Sequence, residues 1–363
     1  MYNDLNLMSK IITLPGFIDV HTHLREPGAT QKEDFETGTK AAIAGGYTAI
    51  LDMPNNPIPT VSEQSLDQKI ALTTGRIYCD VGFHFGATPT NYETFQKIKD
   101  KAFGLKVYMN YTTGDLLMED SAALEKVFSH WIKGKPVLVH AEGDTLQKAI
   151  TLAKIYNQKL HVCHVSLKKE IELIKQAKKE KLNISCEVSC HHLFLTQEDA
   201  KRLGPYGAMR PPLAAEEDRV ALWGNLDIVD MIASDHAPHT KEEKETPGKV
   251  VNGVPGLETS LPLLLTAVNE GKISLEKVIE LTSENPRRIF KIPPQHDTEV
   301  EVDIEEKYKI DSKNLCTKCG WTPFEGTEVV GKIKKVVLRG KVVFDQEKIL
   351  GPLGQVMLPV ADN

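Results

Sequence analysis

The chain has 363 residues and a formal net charge of -6, with 41% hydrophobic and 26% charged residues. This balance is ordinary for a soluble globular protein, and it lacks the basic excess of a nucleic-acid-binding protein. No apolar run approaches the ~20 residues of a membrane span, and the polar segment 1–10 lacks a signal-peptide core. Six cysteines are sparse for this length, which favours reduced thiols. We therefore expect a cytoplasmic protein that binds neither nucleic acid nor membranes.

Short apolar runs recur along the chain and are separated by segments with helical periodicity. The predicted strands are 17–20, 47–53, 79–85, 103–108, 136–140, 160–165, 183–188 and 228–234, with helices such as 32–44, 117–132, 145–156 and 167–179 between them. Eight β–α units in sequence predict an α/β fold, a (β/α)8 barrel, and a doubly wound open sheet is the alternative. The barrel is favoured because chemically reactive residues stand at the C-terminal ends of many strands, where barrel active sites lie.

The pattern changes after the eighth strand. A loop rich in charge, Gly and Pro covers 236–257, and helices follow at 260–270 and 274–282, the second ending before Asn285-Pro286. The runs 300–302, 329–330, 332–338 and 341–344 then alternate apolar and polar residues around a turn at Arg339-Gly340, which predicts a small antiparallel appendage. The N-terminal arm is too short to contribute much to it. We predict a barrel over 14–292 and an appendage with a C-terminal tail from 1–13 and 293–363.

Two histidines stand at the end of the first predicted barrel strand. His21 and His23 are two residues apart, and residues at this spacing on a strand point to the same face. Both imidazoles can therefore reach one metal ion. Arg25 follows two residues later and can hold an anion beside that metal.

Ligand-type residues also stand at other strand ends. They are Lys106 on the fourth strand, His140 and then Glu142 after the fifth, Cys163-His164 after the sixth, Glu187 and then His191-His192 on the seventh, and Asp235, His236 and His239 after the eighth. A lone histidine at a strand end is more often a packed or surface residue than a ligand. Four strands that end in histidine and a fifth that ends in aspartate together predict a metal centre.

Lys106 lies between the apolar residues Leu105 and Val107, so that its side chain points into the barrel. A buried cation is costly unless it is paired, and burial beside metal cations favours the neutral amine. A neutral amine can add CO2 and become a carbamate, which can bridge two metals. The alternative is a lysine paired with a carboxylate.

These residues resemble the ligand set of the amidohydrolase superfamily. Within it, the chain is similar to the dihydroorotases, most of all to the dihydroorotase domain of the animal multifunctional protein that also carries carbamoyl-phosphate synthetase and aspartate transcarbamoylase. The resemblance runs from about Leu14 to about Leu338. It is carried by 15–28 (PGFIDVHTHLREPG), 53–55 (MPN), 186–188 (CEV), 191–194 (HHLF), 233–239 (ASDHAPH) and 255–259 (PGLET).

The resemblance implies a role for each matching residue. His21, His23 and Asp235 would bind one zinc ion, His140 and His164 a second, and the carbamate of Lys106 would bridge them. Asp235 would also serve as general base and acid. The substrate would be bound by Arg25, Asn55, Thr112, Thr113, Arg210, His239, Pro255 and Gly256. A third zinc ion is implied near Cys163, Glu187 and His239, and the alternative there is a buried thiol beside a carboxylate that orients a ligand.

The implied activity is the reversible, zinc-dependent cyclisation of N-carbamoyl-L-aspartate to L-dihydroorotate in pyrimidine biosynthesis. A metal-activated hydroxide would attack the ring amide. The resemblance also implies a homodimer and a place in a multifunctional polypeptide. A dihydropyrimidinase or an allantoinase is the alternative with the same chemistry, but Arg25 and Arg210 favour a substrate with a carboxylate. An inactive, scaffolding dihydroorotase-like domain is the alternative from another class, and the complete ligand set argues against it.

Two features stand apart from this pattern. In the loop after the fourth strand, Thr113 stands where the multifunctional branch is expected to have Phe, and this bears on how a mobile loop would close over the substrate. Cys316 and Cys319 have the spacing of a metal knuckle or a redox pair, but no second pair accompanies them. We expect a plain loop there.

Overall fold

The structure, a computed structural model, describes residues 10–360. Residues 1–9 and 361–363, on which the predicted polar N-terminus and the end of the predicted tail fall, lie outside the described residues. The strands are β1 (Ile11–Pro15), β2 (Phe17–Thr22), β3 (Tyr47–Asp52), β4 (Asp80–Gly86), β5 (Ala102–Tyr108), β6 (Val137–His140), β7 (Leu160–Val162), β8 (Ile184–Val188), β9 (Met231–Ile232), β10 (Glu299–Lys309), β11 (Glu328–Leu338), β12 (Lys341–Asp345) and β13 (Lys348–Ile349).

Helices follow most of the barrel strands. They are α1 (Phe35–Ala44), α2 (Glu63–Ala71), α3 (Phe95–Ile98), α4 (Ser121–His130), α5 (Asp144–Ile155), α6 (Lys168–Lys179), α7 (Cys190–Phe194), α8 (Gln197–Leu203), α9 (Glu216–Trp223), α10 (Lys241–Glu245), α11 (Ser260–Asn269), α12 (Leu275–Ile279) and α13 (Asn285–Phe290). Short 3-10 turns lie at Asn91–Thr94, Gly204–Gly207 and Ser312–Asn314.

Strands β2 to β9 form one sheet of eight parallel strands in sequential order. A parallel bridge between Thr22 and His236 joins its two edges, so the sheet closes into a barrel and the predicted (β/α)8 fold is confirmed. Every residue of β2, β3, β4 and β5 is buried. This burial explains why their sequences read as continuous apolar runs, because helices cover the outer face of a parallel sheet.

The second sheet is antiparallel and has the order β1-β10-β11-β12-β13, as the alternating pattern near the C-terminus predicts. The expectation that the N-terminal arm contributes little to it was wrong. Strand β1 pairs with β10 at all five of its positions, from Ile11 opposite Asp303 to Pro15 opposite Glu299. Leu14 is buried in the main apolar cluster. The short segment thus becomes a full edge strand through backbone pairing with β10 and the burial of one side chain.

The sequence predicts that the helix at 274–282 ends before Asn285-Pro286. In the structure the helical segment continues past these residues. Helix α12 continues through a π-helical turn, Glu280–Glu284, into α13, which begins at Asn285. Pro286 lies in the first turn of α13, directly after the π-helical turn, and proline is tolerated in the first turn of a helical segment. The predicted stop was therefore wrong because a proline at this position starts a helical segment as readily as it ends one.

The C-terminal tail runs along the N-terminal end of the barrel. Val81 of β4 accepts a hydrogen bond from the amide of Met357 at 2.8 Å and donates one to Gln355 at 2.9 Å. The Met357 side chain joins the apolar cluster inside the barrel with Phe103 and Leu51. The tail thus covers the end of the barrel opposite the strand ends that carry the ligand-type residues. Within residues 10–360, every helix is too short or too polar to span a lipid bilayer.

Candidate metal centre

The C-terminal ends of the barrel strands surround a pocket. Its wall contains twelve of the residues singled out in the sequence, namely His21, His23, Arg25, Asn55, Lys106, Thr112, Thr113, His140, His164, His191, Arg210 and Asp235. Three of them, Arg25, His164 and Asp235, have positive φ angles of 63°, 36° and 46°. Such backbone conformations cost energy in non-glycine residues, and the surrounding structure must impose them.

His21, His23 and Asp235 face one another at the first candidate metal position. Asp235 Oδ1 lies 3.3 Å from His21 Nε2 and 3.2 Å from His23 Nε2, and one ligand atom of each residue falls within 4.8 Å of the others. The far nitrogen of each imidazole has its own acceptor: His21 Nδ1 contacts Glu187, and His23 Nδ1 lies 2.8 Å from Asn55 Oδ1. These outer contacts leave both Nε2 atoms free to bind a metal.

His140 and His164 form the second candidate position. His140 Nδ1 lies 2.9 Å from His164 Nε2, so the two rings turn one nitrogen each toward the same point. His140 Nε2 lies 3.2 Å from Glu142 Oε1, which leaves Nδ1 to face His164. Glu142 therefore orients His140, a role that the sequence did not predict. The Nδ1 atom of His164 is buried without a hydrogen-bond partner among the described residues.

Most of the charge states fit metal ligation, but His21 would have to lose a proton to bind an ion. Burial lowers the pKa of His23 to about 4 and also lowers the pKa of His140 and of His164, so these imidazoles are neutral at pH 7. Burial alone would raise the pKa of Asp235, but His21 and His23 hold it well below its usual range. For His21, the carboxylates of Glu187 and Asp235 outweigh burial and Lys106, and the pKa rises to about 10.

Lys106 is fully buried between these two positions in the pocket wall. Its Nζ atom lies 3.0 Å from Cys163 Sγ and 5.2 Å from the centre of the Tyr108 ring. None of the ion pairs found within residues 10–360 includes Lys106, so the structure does not show the carboxylate-paired lysine that was the alternative.

Cys163 and Glu187 lie behind the first position rather than in the pocket wall. Together with His21 they bring one ligand atom each within 4.8 Å of the others. His239, which the resemblance places near this group, is not one of the three residues that meet here; its Nε2 atom lies 3.1 Å from Arg25 Nη2. Glu187 is held by His161, whose Nε2 lies 2.9 Å from Oε2. His161 was not singled out as a site residue because its position inside β7 gives no strand-end signal.

Arg25 forms the cationic wall of the pocket and is only 5% exposed. Its Nε donates to the Pro238 carbonyl at 2.9 Å, and Nη2 lies 3.1 Å from His239 Nε2. Burial, together with the neighbouring Arg25, lowers the pKa of His239 to about 3, so His239 adds no charge of its own. The appendage reaches this wall, since Trp321 donates from Nε1 to the His239 carbonyl at 2.7 Å.

The loop after β5 lies across the pocket. Asn55 donates from Nδ2 to the Thr113 carbonyl at 2.9 Å, and Thr113 Oγ1 donates to the Asn252 carbonyl at 3.4 Å. The threonine that replaces the expected Phe thus joins both sides of the pocket. Pro255 and Gly256, predicted to bind substrate, line a small neighbouring cavity beside His236, and Val254 lines the pocket instead. Cys316 and Cys319 are free thiols in a loop.

Comparisons with known proteins agree with this geometry. The model of the amidohydrolase family matches residues 12–343. The chain is 46% identical over 353 residues to the multifunctional protein pyr1-3 of Dictyostelium discoideum, an alignment that covers 97% of this chain and 16% of that protein. It is 37% identical over 358 residues to the dihydroorotase of Pyrococcus furiosus, covering 95% of this chain and 84% of that enzyme.

Among solved structures, the L-hydantoinase (dihydropyrimidinase) of Arthrobacter aurescens superposes with a TM-score of 0.90 at 29% identity. The superposition covers 96% of this chain and 89% of the hydantoinase. The chain spans only 16% of the length of the Dictyostelium protein, but 84% of the length of the archaeal enzyme. The chain belongs to the amidohydrolase family and, within it, to the dihydroorotases.

Proposed function

We propose that the chain is a zinc-dependent dihydroorotase that interconverts N-carbamoyl-L-aspartate and L-dihydroorotate in pyrimidine synthesis. The observation that carries the proposal is the meeting of two metal-ligand groups with a buried arginine in one pocket. The family relatives that are named dihydroorotases support it.

The residues present fit two divalent ions. His21, His23 and Asp235 would hold one ion, and His140 and His164 the other, with Lys106 as a carbamate between them. These imidazoles and the carboxylate are ligands that zinc accepts. When bound, two zinc ions would activate a water molecule and polarise the amide carbonyl.

Asp235 performs the proton transfer in this proposal. Its low pKa keeps it ionised at neutral pH, so in the hydrolytic direction it accepts the proton of the attacking water and passes it to the leaving ring nitrogen. In the cyclising direction the same carboxylate takes the proton of the ureido nitrogen. His23 and His164 cannot compete as acids, because burial lowers their pKa values.

Arg25 selects the substrate. A cyclic amide without a carboxylate, such as dihydrouracil, offers nothing to a buried guanidinium, whereas the carboxylate of dihydroorotate neutralises it. Asn55, Thr112, Thr113 and Arg210 line the same pocket, and we propose that they position the ring. A dihydropyrimidinase is the second candidate, supported by the hydantoinase superposition.

Substitution of Arg25 by methionine separates the two candidates. We expect Arg25→Met to lower kcat/KM for dihydroorotate by on the order of 2–3 kcal/mol of transition-state binding, as for a lost charged hydrogen bond. The kcat/KM for dihydrouracil, measured in parallel, should not fall in this variant, because dihydrouracil has no carboxylate for Arg25 to bind. A wild-type enzyme that prefers dihydrouracil would overturn the dihydroorotase proposal in favour of the dihydropyrimidinase.

Glu187 has a definite role without a third metal. It contacts His21 and His161 and accepts a hydrogen bond from the His164 amide at 3.3 Å, so we propose that it orients His21. A third zinc ion at His21, Cys163 and Glu187 is the alternative. Metal analysis distinguishes the two alternatives. Two zinc ions per chain support the orienting role of Glu187, and three zinc ions support the third site.

Several further features are proposed from the family relationship. They are a homodimer, a cytosolic location, a place in a multifunctional polypeptide, and the division into a barrel at 14–292 and an appendage. The six free cysteines agree with a reducing compartment. An inactive scaffolding domain would be expected to have lost ligands, whereas the pocket of this chain retains all those of the two-metal set.

A further inference from the structure

Tyr108 lies in the pocket beside the metal ligands without a role in the scheme above. It follows Lys106 by two positions on β5, so both side chains point into the barrel. Its partner across the sheet is His140, and the two ring centres are 6.4 Å apart. Tyr108 therefore lies in the same part of the pocket wall as Lys106 and His140.

The hydroxyl group of Tyr108 has no hydrogen-bond partner within residues 10–360. The residue is 3% exposed, and its oxygen is buried without a hydrogen bond to any described residue. Such a group is rare in native proteins because it loses its hydration without compensation. In a substrate pocket, an unpaired donor is available to a ligand atom.

A tyrosine hydroxyl can both donate and accept hydrogen bonds. A carbonyl oxygen, and the oxyanion that develops from it, can only accept them. Toward such an oxygen the unpaired hydroxyl of Tyr108 therefore acts as a donor.

We propose that Tyr108 is a further catalytic residue, whose hydroxyl donates a hydrogen bond to the carbonyl oxygen of the ring amide that is opened. The inference rests on the proposed function, because a cyclic amide brings this oxygen next to Lys106 and His140. As the water oxygen bonds to the carbonyl carbon, an electron pair moves onto the carbonyl oxygen, where the phenol stabilises it. The pair returns when the carbon–nitrogen bond breaks, and the nitrogen receives its proton from Asp235.

Substitution of Tyr108 by phenylalanine tests this role with little risk to folding, because it removes only an unpaired hydroxyl. We expect kcat for dihydroorotate to fall about a hundredfold, as for loss of one donor to a developing oxyanion. The zinc content and the thermal unfolding midpoint should not fall. Tyr47→Phe is the matched control: Tyr47 is equally buried, but its hydroxyl bonds Ser260 outside the pocket, so that stability should fall and kcat should not.

The two proposals fail in different ways. Wild-type kcat in Tyr108→Phe, or a loss of kcat explained by a loss of zinc, would overturn the role of the phenol and leave the dihydroorotase proposal standing. A wild-type enzyme without activity on dihydroorotate would overturn the proposed function. The same two variants measured on dihydrouracil would then decide the role of Tyr108.

Discussion

Lys69 and Asp52 form an ion pair, with 2.6 Å between Nζ and Oδ2, in which neither side chain is exposed. Lys69 also donates to the Met53 carbonyl at 2.7 Å, and Asp52 Oδ1 accepts the amide hydrogen of Leu24 at 2.7 Å. Leu24 lies between His23 and Arg25, and Met53 lies two residues before Asn55. One buried pair thus connects the two segments that form the wall of the pocket.

Removal of one partner leaves the other as an unpaired buried charge. We expect Lys69→Met to lower the free energy of unfolding by about 3–5 kcal/mol, the usual cost of breaking a buried pair. Denaturant unfolding at neutral pH measures this change. The control is Lys101→Met, which removes a surface pair with Asp67 and should cost no more than about 1 kcal/mol.

A second variant keeps this prediction informative if Lys69→Met does not fold. The combined change Lys69→Met with Asp52→Asn removes both charges and should recover part of the lost stability, because no unpaired ion remains. A combined variant that is less stable than Lys69→Met alone would show that the pair does not carry the stability assigned to it.

Gly253 allows Arg25 to reach its position. Its φ angle is +132°, and a Cβ atom there would lie 2.4 Å from the Ala237 carbonyl oxygen and 3.3 Å from Arg25 Nη2. We expect Gly253→Ala to raise the KM for dihydroorotate, because Arg25 and the loop must shift, and to lower the free energy of unfolding by about 1 kcal/mol or more.

Gly75→Ala is the control for backbone strain alone. Gly75 also has a positive φ, +70°, but a Cβ atom there meets nothing within 4 Å. Its substitution should lower stability without a change in KM. Steady-state kinetics and unfolding of both variants check the comparison, and equal KM values would show that Gly253 does not set the position of Arg25.

Glu258 gives the stability a pH dependence outside the metal centre. Burial raises the pKa of its carboxyl group to about 7, against the hydrogen bonds from the Cys316 and Thr317 amides. Between the usual value of 4.5 and about 7, the folded state therefore binds more protons than the unfolded state, and this contribution to stability is lost as the pH rises. It is fully present below pH ~4.5.

We expect Glu258→Gln to remove this loss of stability at rising pH, because glutamine has no proton to release in this range. The free energy of unfolding of the variant minus that of the wild type should be larger at pH 8 than at pH 5. Denaturant unfolding of both proteins at these two pH values measures it. A difference that does not change with pH, or that changes in the opposite direction, would show that the carboxyl group is not held in its neutral form.

The barrel and most of the pocket could be predicted because they depend on local patterns. Buried parallel strands read as apolar runs, and the ligands stand where those runs end, as for His140 and Asp235. The contribution of β1 could not be predicted, because a short arm becomes a strand only when a distant edge, here β10, is available to it. The continuation through Pro286 likewise depends on tertiary packing.

The residues that orient the ligands were the hardest to predict. Glu142 and His161 act through single contacts with His140 and Glu187, and neither has a periodic signal in the sequence. Tyr108 reads as an ordinary apolar residue at a strand end, and only the unpaired state of its hydroxyl separates it from the core. The neighbours of His239 could not be predicted for a similar reason, since order along the chain does not give distances across a barrel.

The most direct test of the central claim is an assay of both reaction directions on protein whose zinc content is measured in the same sample. We predict cyclisation of N-carbamoyl-L-aspartate and hydrolysis of L-dihydroorotate by protein that carries at least two zinc ions per chain, with loss of both activities in Lys106→Ala and His140→Ala. Zinc-loaded protein that turns over neither compound, or full activity in either variant, would contradict the account.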